Sequence, residues 1–523
     1  MLKLLNQNRK IIISYGGLIV AYVVLVLFMR GNVNKFLDSD ASSELILSQI
    51  LSNDGGILSD KWYYSTELRV ANTQIVYSLL FRIFNNWHQV RVLGNAILYL
   101  CMLISACYFC KGAKLMQYFP YVGTALLLPL SDIYFNNVLV GGYYVTHISL
   151  TFLVIGSILF YVNYRTVLDK MIIIFMTVGF SFIAGLGGIR LPFVLYTPLT
   201  IVALGMLYQN YLRKHRGQTF DQVSSKRKFA FIVGIADFAA FVGYLINSCL
   251  LSKQYTYKDF SDMNWNSISL EDLCGSINGF LESWGYRTGV SFFSLFSITN
   301  VIFFAIFVGF AWLFFNRENV VVHQMCFEGK VVVFYFVTAV TVYSLFRMVS
   351  GYGIDRHNLS IAAFLVPVGC CLIDVERYGR NTGIYKKVLS GSLALVVINA
   401  IICYVAYWSS AGNQEKIQVA NYLENHSECT QGWASFWNGN IFTELTNGKC
   451  EVWVWDDAES EEEPVLFQWL QKKEHDEKKP NEKCFYLFSM DEYQSLSWAQ
   501  RFDIEDAVYC SDQYVIFEDC PDK

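Results

Sequence analysis

Charge is what this sequence has least of. Asp, Glu, Lys and Arg supply 16% of its 523 residues, against about a quarter in soluble domains, while hydrophobic residues supply 54% and aromatic ones 16%. That balance excludes an ordinary soluble domain and predicts an integral membrane chain. There is no basic excess, since the formal net charge is −4, so nothing suggests a nucleic-acid partner. The signatures of soluble catalysis are absent too: no P-loop, no HExxH and no GxSxG. None of the six cysteines Cys274, Cys429, Cys450, Cys484, Cys510 and Cys520 stands in a CxxC. Neither an internal repeat nor a low-complexity linker occurs.

Long apolar runs are plentiful instead. Residues 11–29 follow Lys3, Arg9 and Lys10, are too long for the core of a signal peptide and lack a small-residue cleavage site. They predict a retained first span with the N-terminus in the cytoplasm. Further runs near 88–110, 115–131, 143–162, 171–187, 191–208, 229–251, 298–316, 331–350, 358–374 and 388–408 predict a membrane all-α bundle of about eleven transmembrane helices. The weakest are 115–131 and 171–187. Alternating sides puts Lys111, Lys114, Arg165, Lys170, the cluster Arg213 to Lys228, Arg317, Lys330, Arg377, Arg380, Lys386 and Lys387 on the inner side. Every inner loop then obeys the positive-inside rule. An odd number of spans makes the C-terminus extracellular, in a multi-pass protein of the plasma membrane.

The polar chemistry collects on the outer side, in loops 30–87, 132–142 and 252–297 and in the segment after the last span. Within the first loop, Leu68, Ile75, Leu79 and Phe81 to Ile83 recur at helical spacing, which predicts an interfacial amphipathic helix or a short hairpin span. Residues 1–411 form the transmembrane unit and 412–523 a small soluble α/β or α+β domain, with strands at 450–455, 483–488 and 513–518 and helices at 414–424 and 464–474. Cys274, Cys429, Cys450, Cys484, Cys510 and Cys520 face outward, an even set that permits disulfides within 429–520. The other eight cysteines suit small apolar packing.

Four places carry candidate chemistry. The segment from Phe36 to Glu44 holds Asp38, Asp40 and Glu44 just beyond the first span; a helix cap explains one carboxylate but not three. Asp132 sits in an outer turn with Tyr143, Tyr144 and His147 close behind, where a plain turn with interfacial tyrosines competes with a functional reading. Arg190 follows Gly185, Gly187 and Gly188 at the outer end of two apolar runs, and must either snorkel to the interface or pair with an anion. Arg356, between Asp355 and His357, breaks the positive-inside trend. Outward carboxylates near outward arginines suit chemistry on a phosphorylated lipid, with cations holding the phosphate and a carboxylate deprotonating a hydroxyl.

These residues, together with 71–84 (ANTQIVYSLLFRIF), 91–100 (RVLGNAILYL), 185–199 (GLGGIRLPFVLYTPL), 355–359 (DRHNL) and 432–453 (GWASFWNGNIFTELTNGKCEVW), resemble the GT-C superfamily of membrane glycosyltransferases, in an uncharacterised bacterial branch. The resemblance implies a GT-C-like bundle with outer interfacial helices. It implies a polyprenyl-phosphate sugar donor, a glycan or lipid acceptor in the cell envelope, and contact with membrane lipids. By it, Asp38 or Asp40 is the general base, Asp132 helps to position it, and Arg190 and Arg356 bind the donor phosphate. Glu44, His147 and His357 complete the candidate substrate-binding set. No cofactor is required, although the Asp-Ser-Asp spacing permits a divalent metal. The implied reaction is an inverting, hexosyltransferase-like transfer at the outer face. Two rivals remain at this point: a transporter or flippase of lipid-linked saccharide, and a membrane-anchored glycan-binding protein using Trp433, Trp437, Trp453 and Trp455, residues that equally suit the core of a small domain.

Overall fold

The computed structural model describes residues 2–215, 223–257, 270–291, 293–316, 325–350, 355–373, 383–457, 460, 462–481 and 483–519. Helix α1 (Leu2–Asn32) leads through a turn at Val33–Phe36 into α2 (Ser39–Asp54), followed by α3 (Gln74–Phe81), α4 (Trp87–Gly112) and α5 (Phe119–Leu126). Then come α6 (Val145–Asn163), α7 (Val167–Leu186), α8 (Thr197–His215), α9 (Val223–Ile246), α10 (Leu270–Ser283), α11 (Leu295–Asn316) and α12 (Phe327–Ser350). After the short helix Leu359–Ala362 follow α13 (Leu365–Ile373), α14 (Gly383–Ser409), α15 (Gln414–Asn425) and α16 (Phe436–Leu445).

Among the described residues, eight helical stretches are long and apolar enough to cross a membrane, or nine if Ala394–Ser409 and Gln414–Asn425, bent by 41°, count as one. The protein is a multi-pass membrane protein, and among the described residues the count of such stretches stays short of the eleven expected. Phe296–Gly309 is a shorter apolar helix. Of the two weak runs, 171–187 is a full helix of 20 residues, α7, whereas 115–131 contains a 3-10 turn at Met116–Tyr118 and the eight residues of α5. Pro129 explains that early stop, because its ring would clash with the carbonyl four residues back.

The segment nonetheless crosses the bundle. Lys114 Nζ lies 2.5 Å from Glu328, in the first turn of α12. Ser131 Oγ donates to the Ser283 carbonyl at 3.2 Å, and the Ser283 hydroxyl accepts from Asn358, beyond the other end of α12. Residues 114 and 131 are thus at opposite ends of the bundle.

In the first long loop, α3 buries Gln74, Tyr77 and Ser78 and exposes Leu79 and, just beyond its end, Ile83. The amphipathic reading holds for eight residues, too few for a hairpin span. Its apolar face points outward, the inverse of a soluble helix.

The C-terminal region is built on a five-stranded mixed sheet, ordered β3-β2-β5-β7-β6. Strands β2 (Gln431–Ser435), β3 (Glu451–Trp455) and β5 (Cys484–Ser489) run parallel, while β7 (Tyr514–Asp519) is antiparallel to β5 and to β6 (Tyr509–Cys510). Helix α16 supplies the crossover that the parallel pair β2 and β3 needs. The three expected strands are present, and β2 and β6 are additional. No helix forms over 464–474. That stretch bridges Trp455 through Leu466, turns at Leu470 with φ of +50°, and pairs as β4 (Gln471–Lys472) with β1 (Trp62–Tyr63) of the first loop. Backbone pairing across the two regions outcompetes local helix propensity there. Cys274, Cys450 and Cys510 are free thiols, Cys429, Cys450 and Cys484 are buried in the sheet core, and Cys520 lies outside the described residues.

Candidate active site

Everything in the site hangs on the start of α2. Asp38 adopts extended backbone, φ −120° and ψ 170°, and its carboxylate accepts from the Ala41 N–H at 2.7 Å, so it is the N-cap. Two residues on, in the first turn, Asp40 points its Oδ2 at Arg356 Nη1, 2.8 Å away. Glu44 accepts from Thr73 Oγ1 at 3.0 Å and lies 3.7 Å from Arg69 Nη1. The three carboxylates thus have three different fates. Asp38 caps, Asp40 holds an arginine from the far end of the sequence, and Glu44 ties α2 to the segment before α3.

Burial is the main force on the first and third of these. It raises the Asp38 pKa to about 6, with the neighbouring Asp40 charge adding to the rise and the Ala41 N–H, Arg356 and Arg91 opposing it. Glu44 is likewise raised by burial, against Arg69 and the Thr73 hydroxyl. An acid that titrates near neutrality beside an ion pair is a group able to take up a proton.

Helix α2 is immobilised from two sides. Arg91, wholly buried in α4, makes a two-pronged bond to Glu444 of α16, at 2.9 and 2.6 Å, and its Nη2 also donates to the Ala41 carbonyl at 2.8 Å. The C-terminal region adds Ser39 Oγ to the Phe436 carbonyl and Asn413 Nδ2 to the Leu37 carbonyl at 2.7 Å. Lys416 reaches the same end of α2: its Nζ donates to the Trp437 carbonyl at 3.0 Å, and burial lowers its pKa to about 8 against the pull of Glu492 and Asp38.

Arg190 does not snorkel. Its Nε lies 2.7 Å from Glu67 and its Nη1 donates to Tyr144 Oη at 3.0 Å. Arg69 stands over the ring of Tyr143, 5.8 Å from its centroid. His147 is buried with its ring 5.1 Å from that of Tyr144, and His357 is half-buried next to Arg356. Asp38, Asp40, Glu44, Arg190 and Arg356 therefore share one end of the bundle with Arg69 and the two tyrosines.

Asp132 is held apart from this row. Arg287 grips it with Nε and Nη2 at 2.6 and 2.5 Å, and Tyr407 Oη bonds the same carboxylate. Arg287 Nη1 donates to Thr299 Oγ1 at 3.2 Å. Thr299 and Ser283 lie at the polar edge of an apolar cavity of 260 Å³ whose walls include Trp284, Phe303, Phe336 and Leu365. Ser283 in turn bonds Asn358, two residues from Arg356. An oily cleft thus ends beside two arginines.

Sequence reasoning missed Glu67, Arg69, Arg91 with Glu444, Arg287 and Lys416. Arg69 and Arg287 carried the same signal as Arg356, an arginine in an outer loop against the positive-inside trend. Arg91 opens the second span in the stretch that carried part of the family resemblance. Nothing local marks Glu444 or Lys416. Among the described residues, no three His, Cys, Asp or Glu side chains group to hold a metal ion.

No protein-family model matches the sequence, and no curated protein matches it. Solved structures do. ArnT from Cupriavidus metallidurans bound to undecaprenyl phosphate superposes with a TM-score of 0.54 at 10% identity, covering 96% of this chain and 98% of that one. The same protein in its apo state gives 0.52 at 11% identity over the same shares. An Archaeoglobus fulgidus oligosaccharyltransferase tethered to an acceptor peptide gives 0.45 at 10% identity, over 84% of this chain and 64% of that one. At such identities the likeness is one of fold, and it extends over nearly the whole of both chains: this protein has the fold of ArnT.

Proposed function

We propose that the protein transfers a sugar from a polyprenyl-phosphate-linked donor to an envelope or lipid acceptor at the outer face of the plasma membrane. The observation that carries this reading is the ion pair of Asp40 with Arg356 beside the near-neutral Asp38. A base and a phosphate-binding cation stand together at the end of a bundle shared with a protein that has been seen with undecaprenyl phosphate.

In the reaction, Arg356 exchanges Asp40 for the donor phosphate, and Arg190 and Arg69 add positive charge to the same end. The freed Asp40, or Asp38, takes the proton of the acceptor hydroxyl. That oxygen bonds to the anomeric carbon from the face opposite the phosphate, and the carbon–oxygen bond to polyprenyl phosphate breaks, with inversion. The departing dianion is stabilised by the arginines. Glu44 and Asp132 are positioning residues, one orienting Arg69 and the other Arg287. His147, whose ring lies 5.1 Å from that of Tyr144, and His357, next to Arg356, stand at the same end of the bundle. The cleft beside Ser283 and Thr299 takes the start of the polyprenyl chain.

The test is lipid and glycan analysis of a deletion strain. Loss of one envelope sugar together with accumulation of a polyprenyl-phosphate sugar supports transfer. If purified protein in vesicles moves that lipid between leaflets without consuming it, the transferase reading fails.

A further inference from the structure

A second cavity lies between the first outer loop and the sheet, away from the carboxylate–arginine row. It measures 200 Å³ and is lined by Gln49 of α2, Trp62 of β1, Trp87 of α4, Thr443 of α16, Glu451 of β3 and His475. Gln49 is nine residues beyond Asp40 on α2, about 13 Å along the helix axis. Its lining is polar and aromatic together, unlike the apolar cleft near Thr299.

Three features describe what the cavity recognises. Trp62 is 1% exposed, yet its indole N–H has no acceptor among the described residues. A buried donor left unbonded costs about 1–3 kcal/mol, so a ligand oxygen there is favoured. Glu451 is a fixed carboxylate, lowered to about 2 by the His475 hydrogen bond and by Lys472, and it also accepts weakly from Gln431 at 3.4 Å. His475 itself is rigid, stacked on Trp453 at 4.1 Å and bonded to Gln471 Oε1 at 3.2 Å.

Charge decides between ligand classes. Lys472 is already paired with Glu451, and Lys449, paired with Glu424, stands 59% exposed at the rim, so no buried free cation awaits a phosphate. A carboxylate, amides, a hydroxyl and the edges of two buried indoles are groups that bind the hydroxyls of a pyranose ring. The volume is below the ~300–1,000 Å³ of pockets for drug-sized ligands, which fits one ring and not an oligosaccharide.

We propose that this cavity is a second, non-catalytic saccharide site that takes a single neutral or N-acetylated hexose unit between the first outer loop and the C-terminal sheet. It stands whether or not the carboxylate–arginine row transfers sugar.

The test is saturation-transfer NMR on the purified full-length protein in detergent, with methyl α-glucoside and N-acetylglucosamine as probes. At least one probe receives saturation from the native protein and from the Arg356→Ala variant. Gln49→Trp, which fills the cavity from a half-exposed position, abolishes the transfer. Trp62→Phe keeps an aromatic side chain at the position, replaces the indole and its N–H with a smaller phenyl ring and weakens binding about tenfold. If Trp62→Phe does not fold, Gln49→Trp with an unchanged melting temperature decides. The proposal is overturned if neither sugar receives saturation, if Gln49→Trp leaves the signal intact, if inorganic phosphate displaces the sugar, or if Arg356→Ala alone removes it, which would assign the binding to the other site.

Discussion

Asp40 Oδ2 and Arg356 Nη1 lie 2.8 Å apart although 316 residues separate them in the chain. The pair joins the first turn after the first span to the entrance of a late one, so it can form only if both are at the same end of the bundle. An arginine shared between a carboxylate and a phosphate should be sensitive to shape as well as charge. Arg356→Ala is expected to raise the donor KM and lower kcat/KM by about 10²-fold or more, a loss of about 2.7 kcal/mol at minimum. Arg356→Lys should recover part of that, because it keeps the charge and loses the planar fork. Equal donor KM in all three proteins would argue against phosphate binding by Arg356.

The raised Asp38 carboxyl has two pH signatures with opposite directions. Its folded pKa of about 6 exceeds the ordinary 3.8, so the folded state binds more protons between those values and stability falls as pH rises through that window. Asp38→Asn removes this slope. Activity moves the other way if Asp38 is the base, with kcat/KM rising through an apparent pKa near 6 as the carboxylate forms. Melting temperatures and initial rates between pH 4 and 8 separate the two effects.

Arg91 and Glu444 form a buried pair, 0% and 4% exposed, that joins α4 to α16 beneath Asp40. Breaking one partner of such a pair costs about 3–5 kcal/mol. Glu444→Gln should therefore lower the melting temperature sharply and reduce activity with it, whereas the apolar double replacement Arg91→Met with Glu444→Leu should regain most of the stability. A melting temperature unchanged by Glu444→Gln would remove this pair from the account.

The crossing segment makes a topological prediction. In a background without the exposed native cysteines, single cysteines replacing Lys61 and Lys449, 66% and 59% exposed, should react with an impermeant maleimide on intact cells. A cysteine at Lys114, 46% exposed, should react only after permeabilisation.

Periodicity and spacing carried much of this architecture. The apolar runs marked the spans, and the runs at 450–455, 483–488 and 513–518 marked three strands, because hydrophobic length and alternation are properties of local sequence. The 115–131 run was illegible because apolar composition does not reveal that Pro129 halts the helix while the chain still crosses. The stretch 464–474 failed for the opposite reason, since its partner strand Trp62–Tyr63 lies more than 400 residues upstream and local propensity cannot anticipate it. Asp38, Asp40, Arg190 and Arg356 stood out as charges where charge is expensive. Their pairings, Asp40 with Arg356 and Arg190 with Glu67, belong to the tertiary fold alone.

The most direct measurement is envelope-glycan analysis of a deletion strain complemented with the Asp38→Asn, Asp40→Asn double variant, with membrane abundance and melting temperature checked against the native protein. A general base contributes about 10²–10⁴-fold to rate, so the account predicts a folded, membrane-inserted protein that leaves the glycan unmodified. Full modification by a well-folded double variant would contradict it.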